Sequence, residues 1–212
     1  MPKTILGQGP GVADAGRVVT GSAKGVRLLA PGPGTRPLSD RLKQALFASL
    51  EVALAPDWPV AFLDLYAGSG AGGIEALSRG APRAVFVERD PGAARVIIDN
   101  LRRVGLPGGT VVRRDVLTVL IEGSDPLGGP FGAILVDPPY ADQQALLGTL
   151  ARLGDRRLGW ITNDSIVVAK HHWRDDPPER VAGLVLERRR RFGESGLSYY
   201  RLDTSLEAPV AS

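Results

Sequence analysis

Short apolar runs alternate with stretches of helical periodicity along most of the chain. The runs suit buried strands, and the stretches between them repeat apolar residues at a spacing of three or four. The predicted strands are residues 60–65, 84–88, 110–113, 133–136 and 165–170, and the predicted helices are residues 71–79, 92–104, 116–121 and 141–153. Strands separated by helices form βαβ units with right-handed crossovers. The pattern predicts an α/β fold, with a mostly parallel sheet covered by helices on both faces.

The two ends of this region depart from the alternation. Residues 180–188 and 197–203 predict a C-terminal antiparallel hairpin, because glycines separate two β-prone runs. Residues 18–20 and 26–29 predict a smaller N-terminal hairpin, and a helix over residues 41–54 follows it. With the C-terminal hairpin included, we expect seven strands in the main sheet.

This organisation divides the chain into a main domain and three further segments. Residues 1–16 are rich in glycine and proline and lack periodicity, so we expect a disordered tail there. Residues 17–55 form the N-terminal extension of hairpin and helix, and residues 56–205 form the α/β domain. Residues 206–212 are expected to be a short C-terminal tail.

Composition excludes several classes of function. The 212 residues include no cysteine and only two histidines, the adjacent His171 and His172. Disulfides, a thiolate nucleophile and an ordinary zinc site are therefore excluded, and we expect no metal. No apolar run approaches the roughly 18 residues that span a membrane, and the N-terminus lacks the apolar core of a secretion signal. We expect a cytoplasmic monomer without a membrane partner.

Basic residues are concentrated near the N-terminus. Residues 1–50 contain seven lysines and arginines but only two acidic residues, whereas the rest of the chain is close to neutral. A positive stretch on a neutral body is typical of a polyanion-binding extension, since phosphate contacts supply most sequence-independent affinity for nucleic acids. A solvated basic surface without a partner is the alternative interpretation.

A glycine-rich turn follows the first predicted strand of the main domain. Asp64 lies at the end of this strand, Ala67-Gly68-Ser69-Gly70 form the turn, and Glu88 ends the next strand. Such a turn lets a ligand approach the backbone, and an acid at the second strand end accepts ribose hydroxyls. No Lys-Ser or Lys-Thr pair follows the glycines, which excludes a phosphate-binding P-loop. An adenosine ligand with an α-amino group fits better, so the predicted cofactor is S-adenosylmethionine.

Asp115, at the end of the third strand, has two interpretations. Its carboxylate can accept a hydrogen bond from an adenine amino group while the neighbouring backbone flanks the ring. Alternatively, it caps the helix predicted over residues 116–121. Both roles can coexist in one side chain.

The fourth predicted strand runs into Asp137-Pro138-Pro139-Tyr140. In a purely structural interpretation, the prolines end the strand. In a chemical interpretation, an Asp137 oxygen and the outward Pro138 carbonyl accept the two hydrogens of an exocyclic amino group. Tyr140 can then stack on the base. Enzymes that modify a base extrude it from the stack when the target atom is otherwise inaccessible. The chemical interpretation favours methylation of an amino group on a nucleobase.

Five blocks of sequence occur in a distinctive order: RVVTGSAKGVRLLAP, TRPLSDRLKQALFASL, DLYAGSGAGGIEALSRGA, VERD and DPPY. Over about residues 17–203 they resemble the RsmD family of bacterial methyltransferases. The resemblance implies a Rossmann-like class I methyltransferase that modifies N2 of a guanine in 16S ribosomal RNA. It further implies guanine 966 as the target, and 16S rRNA or the assembling small ribosomal subunit as the partner.

The resemblance also implies roles for individual residues. Those expected to bind S-adenosylmethionine are Asp64, Ala67, Gly68, Ser69 and Gly70 at the methionine part, Glu88 at the ribose and Asp115 at the adenine. Arg89 and Val116 are also expected to bind the cofactor. Arg36, in the segment of residues 35–37, would close over the cofactor or contact RNA. The catalytic set is Asp137, Pro138, Pro139 and Tyr140, and the expected RNA contacts are Lys24, Arg27, Arg41 and Lys43.

Two other functions remain open at this stage. The DPPY motif also serves the N6 amine of adenine, so a DNA adenine methyltransferase is one alternative, although 212 residues leave little room for a separate target-recognition region. A catalytically silent RNA-binding assembly factor is the other, and the intact Asp137 argues against it. The arginines at residues 188–191 are either a solvated cluster or an RNA contact in a hairpin loop.

Overall fold

The computed structural model describes residues 14–32, 38–55 and 57–206. The strands are β1 (Asp14–Arg17), β2 (Arg27–Leu29), β3 (Phe62–Leu65), β4 (Ala84–Val87), β5 (Gly109–Val112), β6 (Ala133–Val136), β7 (Ile166–His172), β8 (Arg180–Val181), β9 (Leu184–Phe192) and β10 (Ser195–Leu202). The α-helices are α1 (Asp40–Ala53), α2 (Ala71–Ser78), α3 (Pro91–Val104), α4 (Val116–Ile121) and α5 (Gln143–Leu153). From β3 to β7, every predicted element overlaps an observed one, with ends that differ by at most two residues.

Eight of the strands form one mixed sheet in the order β5-β4-β3-β6-β7-β10-β9-β8. The strands from β5 to β7 are parallel, and β10, β9 and β8 continue the sheet in antiparallel pairs. Strand order reverses beside β3, so the loops after β3 and β6 diverge and leave a crevice at the carboxyl edge. The predicted α/β, Rossmann-like fold is confirmed. Its expected count of seven strands is one short, because the two-residue β8 pairs with β9.

Both faces of the sheet are buried, which explains the nearly continuous apolar runs. Along β3, Phe62 packs on one face, whereas Leu63 and Leu65 pack on the other. Helices α1, α2 and α3 contribute apolar residues to the first face, and α4 and α5 contribute them to the second. Residues of the N-terminal hairpin, including Val18 and Leu28, join the first core, so this core runs continuously from the extension into the main domain.

The N-terminal hairpin is held on helix α2 by hydrogen bonds to buried side chains. The backbone N–H groups of Val19 and Thr20 donate to the Glu75 carboxylate at 2.7 and 2.9 Å. The N–H of Ala23 donates to the Ser78 hydroxyl at 3.0 Å. Glu75 and Ser78 are both buried, so these bonds are shielded from water.

Because of these contacts, the first strand of the hairpin lies earlier in the chain than predicted. Residues 18–20 lie outside the strand, since part of their backbone bonds to α2. Strand β1 instead covers Asp14–Arg17 and pairs with β2. Residues 14–16 are therefore not part of a disordered tail, and residues 1–13 lie outside the described part of the chain.

The C-terminal hairpin is also displaced from its prediction. Its first strand is Leu184–Phe192 instead of residues 180–188, and it pairs along its length with β10. The arginines at residues 188–191 therefore lie within a strand and not in the hairpin loop. Arg188 pairs opposite Tyr199, and its guanidinium lies 4.4 Å from the centre of that buried ring.

Candidate active site

A cavity of about 880 Å³ opens at the carboxyl edge of the parallel strands. The loops after β3, β4 and β6 form much of its wall, together with residues of α4, α5 and β7. Ligands of open α/β sheets bind at this position, beside the reversal of strand order. The predicted site residues that line the cavity are Ala67, Gly68, Ser69, Glu88, Arg89, Asp115, Val116, Asp137, Pro138, Pro139 and Tyr140.

The turn after β3 is held by the acid at the end of β4. Gly68 has a φ of 56°, and its N–H donates to Oε2 of Glu88 at 2.9 Å. The other Glu88 oxygen accepts the N–H of Asp90 at 2.8 Å. Tyr66, just before the turn, has a φ of 61°, which is uncommon for a residue other than glycine and marks a constrained backbone. Glu88 thus links two strand ends and remains on the cavity wall.

Two predicted cofactor residues, Asp64 and Gly70, are not on the cavity wall. The Asp64 carboxylate is buried under helix α2, where it accepts the N–H of Gly73 at 2.7 Å. Burial raises the pKa of Asp64 to about 8, and the negative charges of Asp137 and Glu88 add to this rise. Gly70 caps α2 in the left-handed conformation, with a φ of 77°. Both residues support the glycine turn from the side away from the cavity. This differs from the direct contact with the ligand that was expected of them.

Asp115 combines both of the roles that its position suggested. Its Oδ1 accepts the N–H of Thr118 at 3.0 Å and so caps helix α4. The same residue lines the cavity, with Val116 beside it. An N-cap fixes the carboxylate in one orientation, so the helix start presents a fixed acceptor to the cavity.

The Asp137-Pro138-Pro139-Tyr140 segment forms another wall of the cavity. It leaves the end of β6, where the N–H of Asp137 donates to the Leu65 carbonyl on the neighbouring strand. The Tyr140 hydroxyl lies 2.8 Å from Oγ of Ser195. Its ring meets the ring of His172 edge-on, with 6.0 Å between the ring centres. The segment is therefore anchored to β3 at its start and to β7 and β10 at its end.

Lys170 of β7 is a site residue that the sequence motifs did not predict. Its Nζ donates to Oδ1 of Asp137 at 2.6 Å, and both side chains are largely buried. Burial raises the pKa of Asp137, and the ammonium of Lys170 opposes that rise. Burial lowers the pKa of Lys170, but the Asp137 carboxylate more than reverses this and leaves it above its ordinary value. The sequence did contain a signal for it. Lys170 ends the predicted apolar strand that comes next in the chain after the strand that runs into DPPY.

The model of one protein family matches nearly all of the chain that forms this site. The family model, described as "Conserved hypothetical protein 95", matches residues 16–201. The chain belongs to the RsmD family. Its relatives include Ribosomal RNA small subunit methyltransferase D of Escherichia coli (strain K12), which is 29% identical over 193 residues, covering 91% of this chain and 92% of the relative.

Two further proteins of similar length share this architecture or sequence. YlbH of Bacillus subtilis (strain 168) is 34% identical over 186 residues, covering 87% of this chain and 98% of the relative. The solved structure of a hypothetical protein from Thermus thermophilus is 36% identical with a TM-score of 0.72. It covers 86% of this chain and 97% of that one. The match to the family model thus extends across both the N-terminal hairpin and the α/β domain.

The basic residues expected to contact RNA in this RsmD family member fall into two groups. Lys24, Arg27 and Arg41 are exposed, although Arg27 also forms an ion pair with Asp14. Lys43 is completely buried, so the structure contradicts an RNA contact from this residue.

Lys43 is buried because of its position on helix α1. It lies four residues before Phe47 and seven before Leu50, which places it on the apolar face. Its ammonium donates to the Arg17 carbonyl and lies 3.5 Å from Oδ1 of Asp40. These partners compensate the burial of the charge. The helical spacing of the sequence was therefore enough to indicate that Lys43 is buried.

Two other predictions concern charged segments. Arg36 and the rest of residues 35–37, expected to contact cofactor or RNA, lie outside the described part of the chain. In strand β9, Arg188 and Arg189 donate to the backbone carbonyls of Ser49 and Pro177. Arg191 packs 3.5 Å from the centre of the Trp173 ring and donates to the Gly193 carbonyl. Three of the four arginines thus have partners within the protein.

The histidines of β7 have ordinary structural partners. The His171 ring is buried, with Nε2 2.9 Å from the Ser198 hydroxyl and Nδ1 2.9 Å from the His172 carbonyl. Burial lowers the pKa of His171. Across residues 14–32, 38–55 and 57–206, no cluster of three or more histidine, aspartate or glutamate side chains could hold a metal ion. In the same ranges no helix is long and apolar enough to cross a membrane.

Proposed function

We propose that this protein transfers a methyl group from S-adenosylmethionine to the exocyclic N2 amino group of a guanine in 16S rRNA, during maturation of the small ribosomal subunit. The observation that carries the proposal is one cavity lined by both the glycine turn with Glu88 and the Asp137-Pro138-Pro139-Tyr140 segment. The Escherichia coli relative, named for methylation of small-subunit ribosomal RNA, supports the substrate class.

The residues on the cavity wall match the chemical groups of S-adenosylmethionine. The Ala67-Gly68-Ser69 backbone can approach the methionine part closely, because Gly68 carries no side chain in its left-handed conformation. Glu88 would accept the ribose hydroxyls and Asp115 the adenine amino group, with Arg89 and Val116 beside them. When bound, the cofactor supplies an electrophilic methyl group. No cysteine is needed for this chemistry, which agrees with the composition.

Asp137 and Pro138 orient the amine. The lone pair of an exocyclic nitrogen is delocalised into the base, so the nitrogen is a weak nucleophile that must be positioned. One carboxylate oxygen of Asp137 accepts one amino hydrogen and the Pro138 carbonyl accepts the other, which aims the nitrogen. Burial raises the pKa of Asp137, so its carboxylate is a better acceptor for the proton that the nitrogen releases on methylation. Transfer is direct, without a covalent enzyme intermediate.

Exposed basic residues near the N-terminus guide the RNA. Lys24 and Arg27 lie on the hairpin and Arg41 lies at the start of α1, and all three are exposed. Their charges favour contact with the phosphate backbone, which supplies affinity without reading sequence. The fit of the extruded base against Tyr140 and the cavity wall would then select guanine over the other bases. The target implied by the resemblance to the RsmD family is guanine 966.

The experiment identifies the methylated nucleoside directly. Purified protein is incubated with isotopically labelled S-adenosylmethionine and with small subunits from a strain that lacks this methylation. The RNA is then digested and analysed by mass spectrometry, with naked 16S rRNA and duplex DNA as parallel substrates. Label in N2-methylguanosine at a single position supports the proposal, and Asp137→Asn serves as the inactive control. Label in N6-methyladenine of DNA, or S-adenosylmethionine binding without any transfer, would support one of the alternatives instead.

A further inference from the structure

A buried ion pair joins strand β7 to the Asp137-Pro138-Pro139-Tyr140 segment. The Lys170 ammonium lies 2.6 Å from Oδ1 of Asp137, with the two side chains 7% and 18% exposed. It also lies 4.8 Å from the centre of the Tyr140 ring. Water screens a pair of this kind only weakly, so each charge strongly affects the other. The contact therefore controls both the charge and the direction of the carboxylate.

The two oxygens of this carboxylate have different environments. Within the described residues, Lys170 is the one side chain that hydrogen-bonds Asp137, and the bond is to Oδ1. Oδ2 has no hydrogen-bond partner in that part of the chain, and Asp137 lines the cavity. An ionised carboxylate is a stronger acceptor than a neutral carboxyl group. The pair thus leaves one charged acceptor oxygen available to a ligand.

We propose that Lys170 is a positioning residue for methyl transfer, which keeps Asp137 ionised and leaves Oδ2 to accept an amino hydrogen of the target base. The inference rests on the proposed function, since it takes the amine as the partner of Asp137. It assigns Lys170 no contact with the substrate. Its effect on the reaction passes through the carboxylate alone.

The surroundings of Asp137 explain the need for a cation at this place. Burial disfavours the ionised carboxylate and raises the pKa of Asp137. The negative charge of Asp137 in turn helps to raise the pKa of the buried Asp64 of β3 to about 8. The other charged or titratable groups around the cavity are Tyr66 after β3, Glu88 after β4, Arg89, Asp115 before α4, Tyr140 and Asp142 before α5, and Arg152 within α5, with His172 against Tyr140. Among the described residues, Lys170 is the cation in direct contact with Asp137.

The test compares single-turnover methyl transfer by the wild type, Lys170→Met and Lys170→Arg from about pH 5.5 to 9.5. S-adenosylmethionine and small ribosomal subunits are both saturating, so the rate reports the chemical step. Lys170→Met removes the charge and retains most of the chain length. We expect the acid limb of its pH–rate profile, where the rate falls as the pH drops, to move up by at least about one pH unit. At low pH this is a roughly tenfold loss of rate, which high pH restores. Lys170→Arg should keep the wild-type limb, because it keeps the charge.

Lys43→Met is the matched control. It removes another buried ammonium, on helix α1, that does not line the cavity, and the acid limb should stay in place. A Lys170→Met rate that falls by one constant factor at every pH would overturn the inference, because packing alone produces that pattern. A rate equal to or above the wild type throughout would overturn it as well, since the ion pair would then be dispensable or inhibitory.

A second measurement does not depend on activity. The carboxyl ¹³C resonance of Asp137, identified by its loss in Asp137→Asn, is titrated in the wild type and in Lys170→Met. We expect the midpoint to rise by at least about one pH unit in Lys170→Met. If this rise occurs but no guanine is methylated, the proposed function fails while the control of Asp137 by Lys170 stands. If guanine is methylated and neither the midpoint nor the limb moves, the inference about Lys170 fails.

Discussion

Oε2 of Glu88 accepts the backbone N–H of Gly68 at 2.9 Å, so the acid that ends β4 supports the turn that follows β3. The two strands are parallel neighbours, which brings their carboxyl ends to the same edge of the sheet. Glu88 therefore has a structural role in addition to its proposed contact with ribose. The two roles predict different defects when the residue is changed.

Replacing Glu88 by alanine should weaken binding of S-adenosylmethionine by roughly 1.5–3 kcal/mol, the range for a hydrogen bond to a charged group. Glu88→Gln can still accept the Gly68 N–H, so it should keep the turn and lose only part of this affinity. Isothermal titration calorimetry measures both. Single-turnover rates at saturating cofactor should stay close to the wild type. Rates that saturating cofactor fails to restore would show that Glu88 acts in the chemical step.

Asp137→Asn should reduce methyl transfer by about 10²–10³-fold, the loss typical of removing one group that stabilises the transition state. Asparagine keeps the shape of the side chain, whereas alanine would leave the buried Lys170 without its partner. Affinity for S-adenosylmethionine should be nearly unchanged, because Asp137 is assigned to the amine. Asp125→Asn, at an exposed position outside the cavity wall, is the control and should behave as the wild type. Strong loss of cofactor affinity with residual turnover would reverse the assignment.

Neutralising Lys24 and Arg27 together should weaken RNA binding most at low salt. Each lost phosphate contact lowers the slope of log affinity against log salt by roughly 0.7–0.9, so the double variant should lower it by about 1.4–1.8. Affinity for S-adenosylmethionine should be unchanged, since neither residue lines the cavity. Filter binding across a salt series measures the slope.

Lys43→Gln provides the contrast for this measurement. The residue belongs to the same basic stretch but is completely buried, so its loss should reduce stability and leave the salt slope intact. If Lys43→Gln lowers the slope while the Lys24 and Arg27 double variant does not, the RNA-binding surface has been assigned to the wrong residues.

The raised pKa of Asp64 predicts that stability depends on pH. An aspartate carboxyl group has an ordinary pKa of 3.8, and in the folded protein burial raises the pKa of Asp64 to about 8. Between these values the folded protein holds a proton that the unfolded chain releases. The stabilisation from this group is therefore complete below the unfolded value and is lost as the pH rises through about 8. Wild-type stability should fall over this window relative to a variant that cannot titrate there.

Asp64→Asn is such a variant, and its amide oxygen can still accept the Gly73 N–H. We expect its free energy of unfolding, relative to the wild type, to rise by up to about 1.4 kcal/mol per pH unit across the window. Urea unfolding at several pH values measures the difference, and Asp57→Asn, at an exposed position, is the control. Parallel stability curves for Asp64→Asn and the wild type would rule out the buried proton.

The pattern of apolar and polar residues was enough to predict the architecture and most of the cavity wall. Apolar runs such as Ala133–Val136 are buried on both faces, so periodicity and length alone identified them as parallel strands. In a parallel sheet, chain direction then brings the strand ends to one edge. The glycine turn, Glu88, Asp115 and the DPPY segment could be assigned to one site on this basis, without knowledge of any distance.

The partner of each buried polar group, in contrast, depends on how distant parts of the chain pack together. Val19 and Thr20 fit a strand pattern, yet their backbone bonds to Glu75, which lies 56 and 55 residues further along the chain. Lys170 fits the end of a strand, yet its ammonium meets Asp137 from the adjacent strand. Local patterns report burial and direction, because these follow from spacing along one element. The partner of a buried charge depends on register and crossover between elements distant in sequence, and that information exists only once the chain has folded.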